Sequence, residues 1–263
     1  MQAVNFAART DVGKNREHNE DCFRVNTSLG LYVIADGMGG HASGEVASEI
    51  AVVTIEQLVM QGASLVEAIE QAHLAILKGV ENGEGQAGMG TTVVAVQLSD
   101  NDYTLAWVGD SRAYLWDNGL TQISKDHSLV QMLLDSGQIT QTQAHTHPRK
   151  NIIYQNLGAR EVAKVQVSVK KGHLYKNQKI LICSDGLSDD VANEAIDKII
   201  SEAYAAGRSD DEIVEALVDA ALYNGGHDNI SVIIISASSV ALDNPVVNKT
   251  QKDINKDTLI PDN

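Results

Sequence analysis

Four aspartates in this chain stand at the ends of apolar, strand-like runs, each in a tight turn that contains glycine. Asp36 follows LYVIA, Asp110 follows LAWVG, Asp185 follows KILICS and precedes Gly-Leu, and Asp228 lies in GGHDNIS just before a last apolar run. A single aspartate in such a turn is ordinarily an Asx turn or a helix cap. Four together are harder to accommodate. Sheets bring strand ends to a common rim, and carboxylates gathered there repel one another unless a cation neutralises them. The chain is therefore constrained to present these strand ends to a shared ligand.

The stretch LYVIADGMGGHASGEVA, residues 31–47, indicates what kind of ligand. A strand runs into Asp36, and Gly37, Gly39 and Gly40 then surround Met38 before a helix begins. Glycine supplies unusual φ values or lets another group approach the backbone closely. Hard cations such as Mg²⁺ and Mn²⁺ take oxygen ligands, backbone carbonyls included, and keep several waters. A glycine at position 37 lets its peptide oxygen reach the ion that Asp36 holds. Upstream, GKNREHNEDCF at residues 13–23 adds the acidic oxygens of Glu20 and Asp21 and sets Arg16 one helical turn or two strand repeats before them. Arginine is the usual bidentate partner of phosphate, and a salt bridge to a neighbouring acid is the alternative role for Arg16. Beside a carboxylate cluster in an acidic chain the phosphate role is favoured, and the expected ligand is a phosphate ester at a metal centre.

Residues 31–35 form a continuous apolar run, the pattern of a strand buried on both faces. Apolar residues recur at helical spacing over 44–60 (Val46, Ile50, Val53, Leu58) and 64–80 (Leu65, Ile69, Leu74, Leu77). Over 91–124, β-rich runs separated by Ser-Asp-Asn-Asp, Gly-Asp and Asp-Asn-Gly predict an antiparallel meander. A helix is expected after Asp126, and 136–158 reads as an irregular surface insertion. Strands follow at 165–169 and 179–183, helices at 193–206 and 210–223, and NISVIIISA is a final strand. Clustered helices and hairpin-linked strands make the fold class α+β. Beyond residue 240 the chain has little to bury and is expected to be a flexible tail.

A net charge of −15 and a pI near 4.8 argue against a general binder of nucleic acid or of acidic membranes. The two cysteines, Cys22 and Cys183, offer neither a disulfide framework nor a CxxC metal pattern and are expected to be small buried apolar residues. The chain starts without a basic segment followed by an apolar core, and no apolar run is long enough to span a bilayer, so a cytoplasmic protein is expected.

The motifs RxxNED (residues 16–21), VIADGMGGHxxGExAS (33–48), MGTT (89–92), VGDSRAY (108–114), DHS (126–128), HP (147–148) with LG (157–158), CSDGL (183–187) and HDNIS (227–231) occur in one order along the chain. In these, over about residues 5–237, it resembles the bacterial type 2C protein phosphatases, the PPM family of metal-dependent serine/threonine phosphatases. The resemblance implies a four-layer αββα sandwich of two mainly antiparallel sheets flanked by helices. Residues 1–239 would be the catalytic domain, 136–158 a flap beside the site and 240–263 the tail. Asp36 would bridge two Mn²⁺ or Mg²⁺ ions, with the Gly37 carbonyl on one and Asp185 and Asp228 on the other. Glu20 and Asp21 would hold waters of these ions, Asp110 and Asp189 a third, weaker ion, and Arg16 the phosphoryl oxygens. The implied activity is hydrolysis of phosphoserine and phosphothreonine on proteins by a metal-activated water, without a covalent phosphoenzyme, reversing a bacterial Ser/Thr kinase. The implied partners are phosphorylated proteins, that kinase among them.

There are departures from the family pattern. Eukaryotic members carry a histidine two residues after the bridging aspartate, a candidate acid for the leaving alkoxide, where this chain has Met38. His41 is the nearby candidate to take over as a catalytic group, with a capping or structural role as the alternative; metal-bound water is the default donor. Lys150, in HPRKN, stands where bacterial relatives often have arginine. Two rival readings are a different two-metal phosphoester hydrolase, such as a nuclease, and a non-catalytic phosphoprotein-binding pseudophosphatase. The first lacks a basic groove and the second would be expected to lack ligands.

Overall fold

The computed structural model describes residues 5–39, 43–160, 162, 164–237 and 241–244. Two sheets, in which every paired strand is antiparallel, pack face to face between helices. One sheet runs in the order β1 (Phe6–Asp11), β11 (Ile230–Ser236), β10 (Lys179–Cys183), β7 (Arg112–Trp116), β8 (Leu120–Gln122). The other runs β2 (Asp21–Asn26), β3 (Leu31–Met38), β5 (Val93–Ser99), β6 (Asp102–Val108), β9 (Ser168–His173), with the short β4 (Gly90–Thr91) on the end of β3. Helices α1 (Ser43–Met60) and α2 (Leu65–Asn82) cover the second sheet, and α5 (Asp185–Asp190), α6 (Asn193–Ala205) and α7 (Asp210–Asn224) cover the first. The short α3 (Leu129–Asp135) and α4 (Gln141–His145) lie between β8 and β9. This is the expected αββα sandwich.

The four layers explain why the central strands read as unbroken apolar runs. Along β3, Leu31, Val33 and Ala35 face α1 and α2 while Tyr32 and Ile34 enter the core between the sheets. Along β11, Ile230, Val232 and Ile234 face the helices of the other layer while Ile233 and Ile235 meet β3's inner face. Both faces are buried, so period-2 alternation of side chains leaves no polar position to mark it. The helices start where capping predicts. Ser64 and Glu67 form a reciprocal capping box on α2, and Ser209 and Glu212 form one on α7.

Three expectations need correction. The meander over 91–124 is split between sheets: β5 and β6 belong to one, β7 and β8 to the other. The crossing is at Gly109, whose φ of +107° and close approach to Thr92, where a Cβ would lie 2.6 Å from the threonine Cβ, admit only glycine. The strand expected at 165–169 is β9 at Ser168–His173, an edge strand whose exposed Lys170 and Lys171 disguise it. Strands β1 and β2 were not anticipated, being short and half-exposed. At the far end of the chain, residues 241–244 pack against the sandwich: Lys176 N–H donates to the Leu242 carbonyl at 2.9 Å, and Asn244 Nδ2 to Asp117 Oδ2 at 3.0 Å. The rest of the expected tail, residues 240 and 245–263, lies outside the described residues, as does His41. No helix among the described residues is long and apolar enough to cross a membrane.

Candidate active site

Antiparallel pairing brings the acidic strand ends to one rim. Asp21 opens β2 directly opposite Asp36 near the end of β3. β6 ends one residue before Gly109-Asp110, β10 ends at Cys183 before Ser184-Asp185, and β11 starts just after Asp228-Asn229. Since Cys183 pairs with both Arg112 and Val232, Asp185 and Asp228 sit on neighbouring strand ends of one sheet, Asp21 and Asp36 sit on the other, and Asp110 stands on the β6-to-β7 crossing between them.

The turn at Asp36 is fixed by its backbone. The Asp36 carbonyl accepts from Thr91 Oγ1 at 2.8 Å and from Thr92 N–H at 2.9 Å, and Gly37 N–H donates to the Glu20 carbonyl at 3.1 Å. Gly37 needs no left-handed φ. A Cβ there would lie 2.2 Å from the Gly44 carbonyl oxygen and 2.5 Å from that of Glu20, so the absence of a side chain is what allows the start of α1 and the Glu20 segment to close on the turn. On the same seam a Cβ on Gly44 would lie 2.7 Å from Glu20 Oε1.

Asn229 ties the Arg16 loop to the rim. Its Nδ2 donates to the carbonyls of Val12 (2.8 Å) and His18 (2.9 Å), and its Oδ1 accepts from Glu20 N–H at 2.8 Å. Arg16 Nη2 thereby reaches Asp228 Oδ2 at 2.6 Å with its guanidinium half-exposed. Burial opposes the Arg16 charge, but the bond to Asp228 and the nearby Glu20 and Asp185 outweigh it and raise its pKa. Of the two roles considered for Arg16, the salt bridge to an acid is the one the structure shows.

The carboxylates themselves are under strain of charge. Burial, then repulsion from Asp185, Asp21, Asp110 and Asp228, drives the Asp36 carboxyl well above the usual range. Burial, then Asp110, Asp189, Asp228 and Asp21, does the same to Asp185. Burial raises Asp21 to about 6 despite hydroxyl donors from Ser231 and Ser184. Burial and the neighbouring Asp126 raise Asp110 to about 7. Asp21 Oδ2 accepts from Ser184 Oγ at 2.7 Å, while its buried Oδ1 has no hydrogen-bond partner. Among the described residues no three acidic, histidine or cysteine side chains are already closed on a single point.

Asp189, one turn into α5 after Asp185, accepts from Lys150 Nζ at 2.8 Å, which ties the segment 136–158 to the acidic rim. A cavity of about 60 Å³ lies beneath, lined by Asp110, Asp185, Asp189, Lys150, Arg112 and Gln131 among others, and is large enough for a few waters. Arg112 is held by Nε and Nη2 on Asp126 Oδ2 at 2.9 and 2.7 Å. Cys183 is buried and Cys22 half-buried against Glu49; burial pushes both thiols up to about 12, so neither is a thiolate at neutral pH.

Arg16, Glu20, Asp21, Asp36, Gly37, Asp110, Asp185, Asp189 and Asp228 are all brought to this rim. The positioning roles of Asn229, Ser184, Thr91 and Thr92 were not anticipated. Each stands in a quoted motif, but for most contacts their partners are 19 to 217 positions away in sequence, and sequence spacing carries no trace of them.

The site can be compared with known proteins. Residues 12–221 match the family described as Protein phosphatase 2C. The chain is 37% identical over 238 residues to the serine/threonine protein phosphatase PstP of Mycobacterium tuberculosis, covering 88% of this chain and 44% of that protein. It thus spans less than half the length of that relative. It is 36% identical over 241 residues to the serine/threonine phosphatase stp of Listeria welshimeri, covering 86% of this chain and 93% of the relative. A crystal structure of the catalytic domain of PstP in complex with two manganese ions aligns with a TM-score of 0.77 at 34% identity, over 90% of this chain and 99% of that one. The rim of aspartates and the sandwich therefore have one explanation: the chain belongs to the protein phosphatase 2C family.

Proposed function

We propose that the chain hydrolyses phosphoserine and phosphothreonine on proteins at a dinuclear Mn²⁺ or Mg²⁺ centre on this rim. The observation that carries the proposal is the gathering of Asp36, Asp185, Asp21 and Asp110 on one rim, each carboxyl driven upward first by burial and then by neighbouring aspartates, together with the buried, unpartnered Asp21 Oδ1. Divalent cations relieve both. Asp36 would be shared between two ions, with the Gly37 carbonyl on one and Asp185 and Asp228 on the other. Glu20 and Asp21 would hold the hydration shells, and Asp110 and Asp189 a third, weaker site. When bound, such ions supply Lewis acidity and a water that loses its proton near neutral pH.

The chain's own residues then do three things. Arg16 exchanges its bond to Asp228 for the phosphoryl oxygens, whose charge grows and spreads in the transition state. Asn229 holds the Arg16 loop so that this exchange is a side-chain rotation and not a loop rearrangement. The flap, through Lys150, closes the side of the pocket next to Asp189. Met38 has no ionisable proton, so water is the default donor to the leaving alkoxide, with His41 the candidate side chain from its place in sequence.

Phosphorylated proteins, a Ser/Thr kinase among them, are the proposed partners, and the cytoplasm the proposed compartment. Turnover of a phosphothreonine peptide on adding Mn²⁺ tests the proposal. Cleavage of a nucleic-acid backbone without peptide turnover would support the other hydrolase, and peptide binding without turnover the pseudophosphatase.

A further inference from the structure

His73 lies on α2, remote in sequence from every motif above, with 1% of its surface exposed. Its Nδ1 accepts from Gly158 N–H at 3.0 Å, and its Nε2 faces the Val162 carbonyl at 2.9 Å. An amide N–H can only donate and a carbonyl can only accept, so the two bonds together admit one form of the ring: neutral, with its proton on Nε2. A polar ring buried this completely and bonded twice to main chain acts as a two-point clamp. What it clamps is the end of the flap.

From that clamp an unbroken series of backbone contacts leads to the metal turn. Gly158, with φ of +88°, is pressed against α2 and the β4 region: a Cβ on it would lie 2.6 Å from Ile76 Cγ2 and 2.8 Å from the Met89 carbonyl oxygen. Its neighbour Leu157, fully buried, exchanges two backbone hydrogen bonds with Thr91: Leu157 N–H to the Thr91 carbonyl at 2.8 Å and Thr91 N–H to the Leu157 carbonyl at 3.1 Å. Thr91 pairs with Gly37 in the β3–β4 register, and its Oγ1 donates to the Asp36 carbonyl at 2.8 Å. The flap's last residues thus make an isolated antiparallel bridge to β4, with β4 holding the Asp36-Gly37 turn on one side and His73 holding the bridged segment on the other.

We infer that His73 is a positioning residue for the dimetal turn, acting through Gly158, Leu157 and Thr91 on the backbone of Asp36 and Gly37. The inference rests on the dimetal reading, in which the Gly37 carbonyl and Asp36 carboxylate must be held in place together. Losing the imidazole would leave the buried Gly158 N–H without a partner and release the half-buried Val162 carbonyl. The Leu157–Thr91 bridge would loosen, and the turn's geometry with it.

Amide hydrogen exchange on the wild-type protein, with and without saturating Mn²⁺, gives the first test, since coupling between two sites is reciprocal. Mn²⁺ is expected to slow exchange at Leu157 and Gly158 as well as at Thr91 and Thr92. Protection confined to Thr91 and Thr92 would overturn the inference. The second test uses His73→Leu, which removes both bonds, and His73→Asn, whose side-chain oxygen can still accept from Gly158. His73→Leu is expected to weaken Mn²⁺ binding in calorimetry about tenfold and to lower kcat on p-nitrophenyl phosphate with KM little changed, while His73→Asn recovers most of the affinity. Wild-type affinity and kcat in a folded His73→Leu would overturn it. If His73→Leu does not fold, His73→Asn and the wild-type exchange pattern still decide. Failure of the dimetal reading is recognisable separately, as a wild-type protein that binds no Mn²⁺.

Discussion

Asp21 and Asp36 stand directly opposite each other in the antiparallel register of β2 and β3. Like charges at a cross-strand pair destabilise a sheet, yet this pair, Asp21 buried and Asp36 half-buried, lies on the acidic rim. The rim is therefore built for a cation-bound state, and the metal-free protein should show the cost.

That cost has a defined pH window. The Asp21 and Asp110 carboxyls lie at about 6 and about 7 in the fold, against about 3.9 in an unfolded chain. The native state therefore holds more protons than the unfolded state between those values, and its stability is full below about pH 4 and lost as the pH rises through 6 and 7. Thermal melts of chelator-treated protein are expected to show Tm falling from pH 5 to pH 8, and saturating Mn²⁺ to raise Tm more at pH 8 than at pH 5. The surface carboxylates with lowered pKa, Glu67, Glu212 and Asp135, titrate below this window and do not confuse it. A metal-free Tm that is flat or rises from pH 5 to pH 8 would contradict the account.

Gly37→Ala places a methyl group against two backbone oxygens, at 2.2 and 2.5 Å. Neither can move without shifting α1 or the Glu20 segment. A loss of about 3 kcal/mol or more is expected from urea unfolding of the metal-free protein. Unchanged stability would mean that the turn is looser than the close approach implies.

Much of this was legible in the sequence. The aspartates, the glycine turn and the capped helices α2 and α7 are local features, and local chemistry fixes them. The split of the meander at Gly109 was hidden because its turn chemistry is the same whether the next strand returns to its own sheet or crosses to the other. Edge strands β2 and β9 were hidden or misplaced because a half-exposed strand such as SVKKGH carries no apolar run. Asn229 could not be seen as the organiser of the Arg16 loop, because its partners Val12 and His18 are more than 200 positions away. His73 sits at an apolar helix's buried face, where a histidine announces nothing until its two backbone partners are known.

Arg16→Ala removes a charge-assisted contact that the substrate phosphate makes in both ground and transition states. Steady-state kinetics on p-nitrophenyl phosphate are expected to show a higher KM and a fall in kcat/KM of roughly 10- to 150-fold, corresponding to about 1.5–3 kcal/mol. Unchanged kinetics would assign Arg16 to the Asp228 ion pair alone.

Asp110 and Asp189 offer few carboxylates to a third cation, which would complete its shell with water in the cavity beneath Lys150. Such a site is weak. Asp110→Ala is expected to keep two tight ions by calorimetry, to lose most phosphopeptide turnover and to need more metal for what remains. Asp110→Asn retaining wild-type rates at every metal concentration would remove Asp110 from the site.

The central claim is that phosphoester hydrolysis here depends on cations held by Asp36 and Asp185. The most direct test is a Mn²⁺ titration of chelator-stripped protein, followed by calorimetry and by phosphothreonine-peptide turnover in the same samples, for the wild type, Asp36→Asn and Asp185→Asn. The account predicts no turnover in chelator and two tight ions bound as activity appears. It also predicts folded variants that bind Mn²⁺ weakly and turn over almost no peptide. Full turnover in chelator, or wild-type turnover by Asp36→Asn, would contradict it.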